Sequence, residues 1–219
     1  MIKLPEKIKV AGMIYDIIFP YTFESSANGN MVGIHCPCSL EIKISDVSNY
    51  GIVRHDVKIV ETLVHEVLHA IDSWYLSSFI DEENISLLAY GIMDAIKQNK
   101  EFIPQSKIPK FFHIGGVKYR IIPNYCFTDS AEEHNMAIEY DLLEIRIVNG
   151  VEYNSDYRKF LCLLGYIHAI IEWYQIDFLS GNQFRDRFAM LLVMGIKQVF
   201  EENSLEHLVR KTLVGNAKG

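Results

Sequence analysis

Apolar and polar positions alternate along the first stretch of the chain. Ile8 and Val10, then Ile14, Ile17 and Phe19, point alternately to one side of a Gly-containing turn, the pattern of a β-hairpin. Leu40, Ile42 and Ile44 alternate with Glu41 and Lys43, which predicts a half-buried strand with one wet face. The period then changes from two to 3.6. From about Asp56, Val60, Leu63, Val64, Val67, Leu68, Ile71, Trp74 and Tyr75 form one helical stripe. A shorter helix from about Asp81 turns Ile85, Leu88, Ala89, Ile92 and Ile96 inward. The expected unit is a small β-sheet backed by two helices, an α+β layout.

The unit occurs twice. Leu4-Pro5-Glu6-Lys7-Ile8-Lys9-Val10-Ala11-Gly12 returns as Ile108-Pro109-Lys110-Phe111-Phe112-His113-Ile114-Gly115-Gly116, and Leu40-Glu41-Ile42-Lys43-Ile44 as Leu143-Glu144-Ile145-Arg146-Ile147. His69-Ala70-Ile71 with Trp74-Tyr75 recurs as His168-Ala169-Ile170 with Trp173-Tyr174, and Ile96-Lys97-Gln98 as Ile196-Lys197-Gln198. A tandem duplication follows, with copies at residues 1–104 and 105–219 and a joint near Pro104 to Lys107.

Composition narrows the function classes. The 219 residues carry 21 Lys and Arg against 28 Asp and Glu, a net charge of −7, with no basic run to neutralise phosphates, so nucleic acid is not an expected partner. The N-terminus lacks the apolar core of an export signal. The longest uncharged apolar stretch, residues 160–171, falls short of the roughly 20 residues that span a bilayer, so no membrane segment and a cytoplasmic location are expected. Cys36, Cys38, Cys126 and Cys162 are too few and too irregular for a disulfide framework, and His35-Cys36-Pro37-Cys38 reads as a turn with free thiols rather than a metal knuckle.

The chemistry-bearing segment is His65-Glu66-Val67-Leu68-His69. On a helical wheel His65, His69 and Asp72 share the face opposite the apolar stripe and look into a cleft. Two imidazoles one turn apart can reach a single zinc ion (Zn2+), and Glu66 between them can act as general base on a water held there. Asp72 is placed to accept the proton of a ligating ring and fix its tautomer. A third ligand is expected at the start of the next helix. Glu82 lies at the margin of that helix's inward stripe and Glu83 points away, so Glu82 is the expected ligand.

His65-Glu66-Val67-Leu68-His69-Ala70-Ile71-Asp72, followed by Glu82 and Leu88-Ala89, resembles the zincin superfamily. It is most similar to ImmA/IrrE-like and related small phage and prophage metallopeptidase-like proteins, over residues 57–98 above all. The resemblance implies that His65, His69 and Glu82 hold zinc, that Glu66 is catalytic, and that a protein or peptide is the substrate. The second copy carries Leu164, Gly165 and Ile171 where the first has His65, Glu66 and Asp72, and Gly181 or Asn182 where it has Glu82. It is expected to be a degenerate copy without the metal site, with His168 a packed helix histidine, serving as scaffold, substrate-binding or homodimer surface. Two functions are open: a zinc-dependent peptide hydrolase, and a non-enzymatic interaction or scaffold protein with a structural or vestigial metal site.

Overall fold

The computed structural model describes residues 2–24, 31–48, 50–105, 107–127, 135–149, 154–176 and 182–215, with side chains from 187 to 214 in the last segment. The fold is α+β, built as two sheet-plus-helix units in tandem. The first unit comprises β1 (Lys7–Val10), β2 (Met13–Ile18), β3 (Gly33–Cys36), β4 (Glu41–Ile44), α1 (Asp56–Ile71) and α2 (Glu82–Gln98). The second comprises β5 (Phe111–Ile114), β6 (Val117–Tyr125), β7 (Met136–Glu139), β8 (Glu144–Val148), α3 (Ser155–Trp173), α4 (Asn182–Glu202) and α5 (Leu205–Gly215). Part of the joint between the copies, Ser106, lies outside the described residues.

The sheet orders are β1-β2-β4-β3 and β5-β6-β8-β7, the same topology twice. In each, a hairpin is followed by a parallel pairing and then an antiparallel edge strand. The hairpin turns are equivalent. Ala11 and Gly12 have φ of 51° and 82°, and Gly115 and Gly116 have 57° and 81°, the two successive left-handed residues that a type I′ turn requires. The half-buried strand predicted over 40–44 is interior: β4 is flanked by β2 and β3, and the edges of the sheet are β1 and β3.

His55 caps α1, accepting from the Val57 amide, and Asp81 caps α2, accepting from the Asn84 amide. The apolar stripe of α1 is buried as its period demands. It stops being α-helical at Ile71, where the chain continues through a π-helical turn, Asp72–Leu76, to left-handed Ser77. Trp74 is consequently half exposed rather than part of the core.

The two units share one core, and the second helix of each packs on both units. Helix α2 packs on α3 and β5 of the second unit, while α4 packs on the π-helical turn and β1 of the first. The contacts between the units are reciprocal in detail. Asn99, after α2, accepts from the backbone N–H of His113 in β5 and donates to its C=O; Asn203, after α4, does the same to Lys9 in β1. Each side chain thus closes an otherwise open sheet edge. Tyr75 bonds Gln198 as Tyr174 bonds Asp94, and Gly91 lies against Ile170 and Tyr174 as Gly195 lies against Ile71 and Tyr75. Helix α5 departs from the symmetry: Glu206 accepts from the Phe102 and Ile103 amides and holds the joint against it. Among the described residues, no helix is long and apolar enough to cross a membrane.

Candidate metal centre

His65 and His69 stand one turn apart on α1, so their rings leave the helix on the same side. Their Nε2 atoms are 3.0 Å apart. Glu82 opens α2, where the positive helix terminus favours a carboxylate, and it completes the triangle. Its Oε1 lies 3.0 Å from His65 Nε2 and its Oε2 3.0 Å from His69 Nε2. Both carboxylate oxygens of Glu82 thus face the two imidazole nitrogens, and one ligand atom from each of the three residues lies within 4.8 Å of the others, close enough for the group to hold a single metal ion. Glu82, itself exposed, and not Glu83 meets the imidazoles.

The two rings are not equally exposed to charge and solvent. Burial, then the neighbouring His69, pushes His65 below the usual histidine range, with Glu82 opposing. A neutral ring with a free lone pair is the form that ligates a metal. The Ser86 hydroxyl lies 3.4 Å from His65 Nδ1, on the side of the ring away from the triangle. Asp72 does not fill that role for either ring. Its carboxylate is buried and accepts from the backbone N–H groups of Phe79 at 3.0 Å and Ile80 at 3.2 Å. Asp72 keeps α-helical dihedrals at the end of α1, but the segment after the π-helical turn folds back over it, and the carboxylate fixes the loop that leads to Glu82.

Glu66 projects from α1 beneath the edge strand. It is only 6% exposed, and its carboxyl group accepts from the backbone N–H of His35 in β3. Burial, reinforced by the charge on Glu82, pushes it up to about 8. The approach of strand to helix depends on Gly33, where a Cβ would lie 2.4 Å from Thr62 Cγ2 and 2.5 Å from Glu66 Oε1. Any side chain there would lift β3 from α1.

These groups line one cleft of about 620 Å³, walled by Met31, Val32 and Ile34 from the edge strand and by Ala89 from α2. His35 also lines it. Sequence reasoning placed His35 in a turn and missed β3 altogether. A signal was present: the apolar run Met31-Val32-Gly33-Ile34 sits between Asn28-Gly29-Asn30 and Pro37. Burial pushes the His35 ring down to about 4, with His69 adding to the shift.

In the second unit the described counterparts are packed into the core. Leu164 is buried, β8 closes on Gly165 so tightly that a Cβ would meet Ile145 Cγ2 at 2.5 Å, and His168 is buried. Gly181 and the Asn182 side chain, the counterparts considered for Glu82, lie outside the described residues. Among the described residues, His65, His69 and Glu82 are the one group whose ligating atoms come together as a metal site requires. No protein-family model, curated protein or solved structure matches the chain.

Proposed function

We propose that the first unit is a zinc-dependent peptide hydrolase of the zincin type. The observation that carries this reading is the convergence of His65, His69 and Glu82 at the mouth of a cleft whose wall is an edge strand and whose floor holds Glu66. Two histidines and a carboxylate leave a fourth position for water, as catalytic zinc sites do, whereas structural sites are closed by four protein ligands. Zinc there would supply Lewis acidity to the water and to the scissile carbonyl. Glu66 takes the proton of the attacking water and returns it to the leaving amine. Outward N–H and C=O groups of β3 receive an extended peptide as an added strand. The binding set N2O also suits iron or manganese, and zinc is proposed as the ion that best fits HExxH chemistry.

The scaffold reading is less well supported, for a reason internal to the molecule. The second unit adopts the same sheet order with leucine and glycine in place of His65 and Glu66, so the fold needs no metal to form. This favours a chemical over a structural role for the site.

Metal analysis of protein purified without chelator, followed by a peptide-library assay of the zinc-loaded chain, tests the proposal. One zinc per chain and cleavage that Glu66→Gln lowers by about two to four orders of magnitude, with the metal retained, are expected. Wild-type cleavage by Glu66→Gln, or a purified chain that takes up no zinc, overturns it.

A further inference from the structure

Trp74 Nε1 donates to the Tyr15 hydroxyl oxygen at 2.7 Å, and that hydroxyl lies 3.1 Å from His35 Nε2. The direction of the second bond follows from the first. An indole N–H can only donate, so the Tyr15 oxygen already accepts one bond. Tyr15 is fully buried, and among the described residues its own hydrogen has no acceptor other than His35 Nε2. A buried hydroxyl hydrogen left without an acceptor costs about 1–3 kcal/mol. Tyr15 therefore donates to Nε2, and the ring proton is confined to Nδ1. Among the described residues Nδ1 has no partner, and His35 lines the cleft beside Glu66 and His69.

The second unit keeps part of this arrangement. Tyr15 pairs with Ile8 across the first hairpin as Tyr119 pairs with Phe112 across the second, and Trp74 recurs as Trp173. The edge strands are in the same register: His35 faces Ile42, and Ile138 faces Ile145. The tyrosine and tryptophan thus persist in both copies. The histidine has become isoleucine in the copy that also lacks the counterparts of His65 and Glu66. His35 varies with the site and not with the scaffold.

We infer that His35 is a further residue of this site, a hydrogen-bond donor through Nδ1–H to the carbonyl oxygen that gains negative charge when water attacks, with Tyr15 and Trp74 as its positioning residues. This rests on the hydrolase reading proposed above. A preorganised donor of this kind contributes about 10²–10³ in rate, because it strengthens as the charge develops.

The test uses the full chain with two substitutions, His35→Ile, which installs the residue that the second unit carries at this position, and Tyr15→Phe. Histidine-selective 15N NMR of the metal-free protein is expected to show His35 protonated at Nδ1 and bare at Nε2, with Tyr15→Phe shifting it towards the Nε2–H form. An Nε2–H ring in the unsubstituted protein overturns the inference without any substrate being known. The zinc-loaded proteins are then titrated with a peptide phosphonate, a tetrahedral anion that mimics the attacked carbonyl. His35→Ile should keep its zinc and lose about 100-fold in phosphonate affinity. Equal binding by both proteins removes the role of His35 and leaves the hydrolase reading standing. No binding by either removes the hydrolase reading and this role with it.

Discussion

Glu66→Gln in the metal-free protein should be more stable than wild type, by an amount that grows with pH. The carboxyl group is buried under β3 beside the charge of Glu82, and it is pushed up to about 8 in the folded chain. In the unfolded chain it titrates near 4.3. A folded value raised above the unfolded one means that the native state favours the protonated form. Its contribution is fully present below about pH 4 and is lost as pH rises through the folded value, becoming constant above about pH 8. Glutamine matches the neutral form and has nothing to ionise. The stability difference between variant and wild type should therefore widen by up to about 1.4 kcal/mol per pH unit between roughly pH 5 and 8. For a chain of this size that is about 3–6 °C in Tm per pH unit. Thermal unfolding in chelator at pH 5, 6, 7 and 8 measures it. The lowered values of His35 and His65 impose their own pH dependence, but both proteins carry it and it cancels in the difference. A difference that stays flat over this range would mean that Glu66 ionises normally, and its placement beneath the edge strand would be wrong.

Other expectations follow from the same geometry. His65→Ala or His69→Ala should abolish stoichiometric zinc, whereas His168→Ala should leave it unchanged; elemental analysis after dialysis decides, and zinc retained by His65→Ala counts against the site. Gly33→Ala should destabilise the fold by about 1–3 kcal/mol in urea unfolding, because the added methyl meets Thr62 and Glu66 at 2.4 and 2.5 Å. Asn99→Ala and Asn203→Ala should each cost about 1–3 kcal/mol, since each strips two backbone partners from a strand of the opposite unit. Unchanged urea midpoints in both asparagine variants would show that the two units are held together by other contacts.

Much of the molecule was legible in the chain itself. The period of apolar residues and its repeat located the hairpins, β4 and helices α1 to α4, though not α5, because burial of one face imposes that period directly on the sequence. The repeat announced two equivalent units, and the spacing of His65 and His69 placed two donor atoms on one helical face, a matter of local geometry alone. Glu82 could be ranked over Glu83 from its position beside the inward stripe of α2. Other features depended on where distant segments meet. Edge strand β3 has four residues, all half-buried, so it lacks the alternation that marks a strand. Its position beside α1, which makes it the cleft wall and turns Glu66 inward, is set by a glycine whose role shows only when the helix lies against it. The wheel placed Asp72 from local geometry alone and could not show that the chain after it folds back, so that the amides of Phe79 and Ile80 take its carboxylate. The packing of α2 and α4 across both units was equally hidden, since a sequence repeat specifies what each copy resembles and not how the copies meet. Local periodicity is written in neighbouring residues, whereas the partners of His35, Glu66, Asp72 and Asn99 are chosen only when the chain folds back on itself.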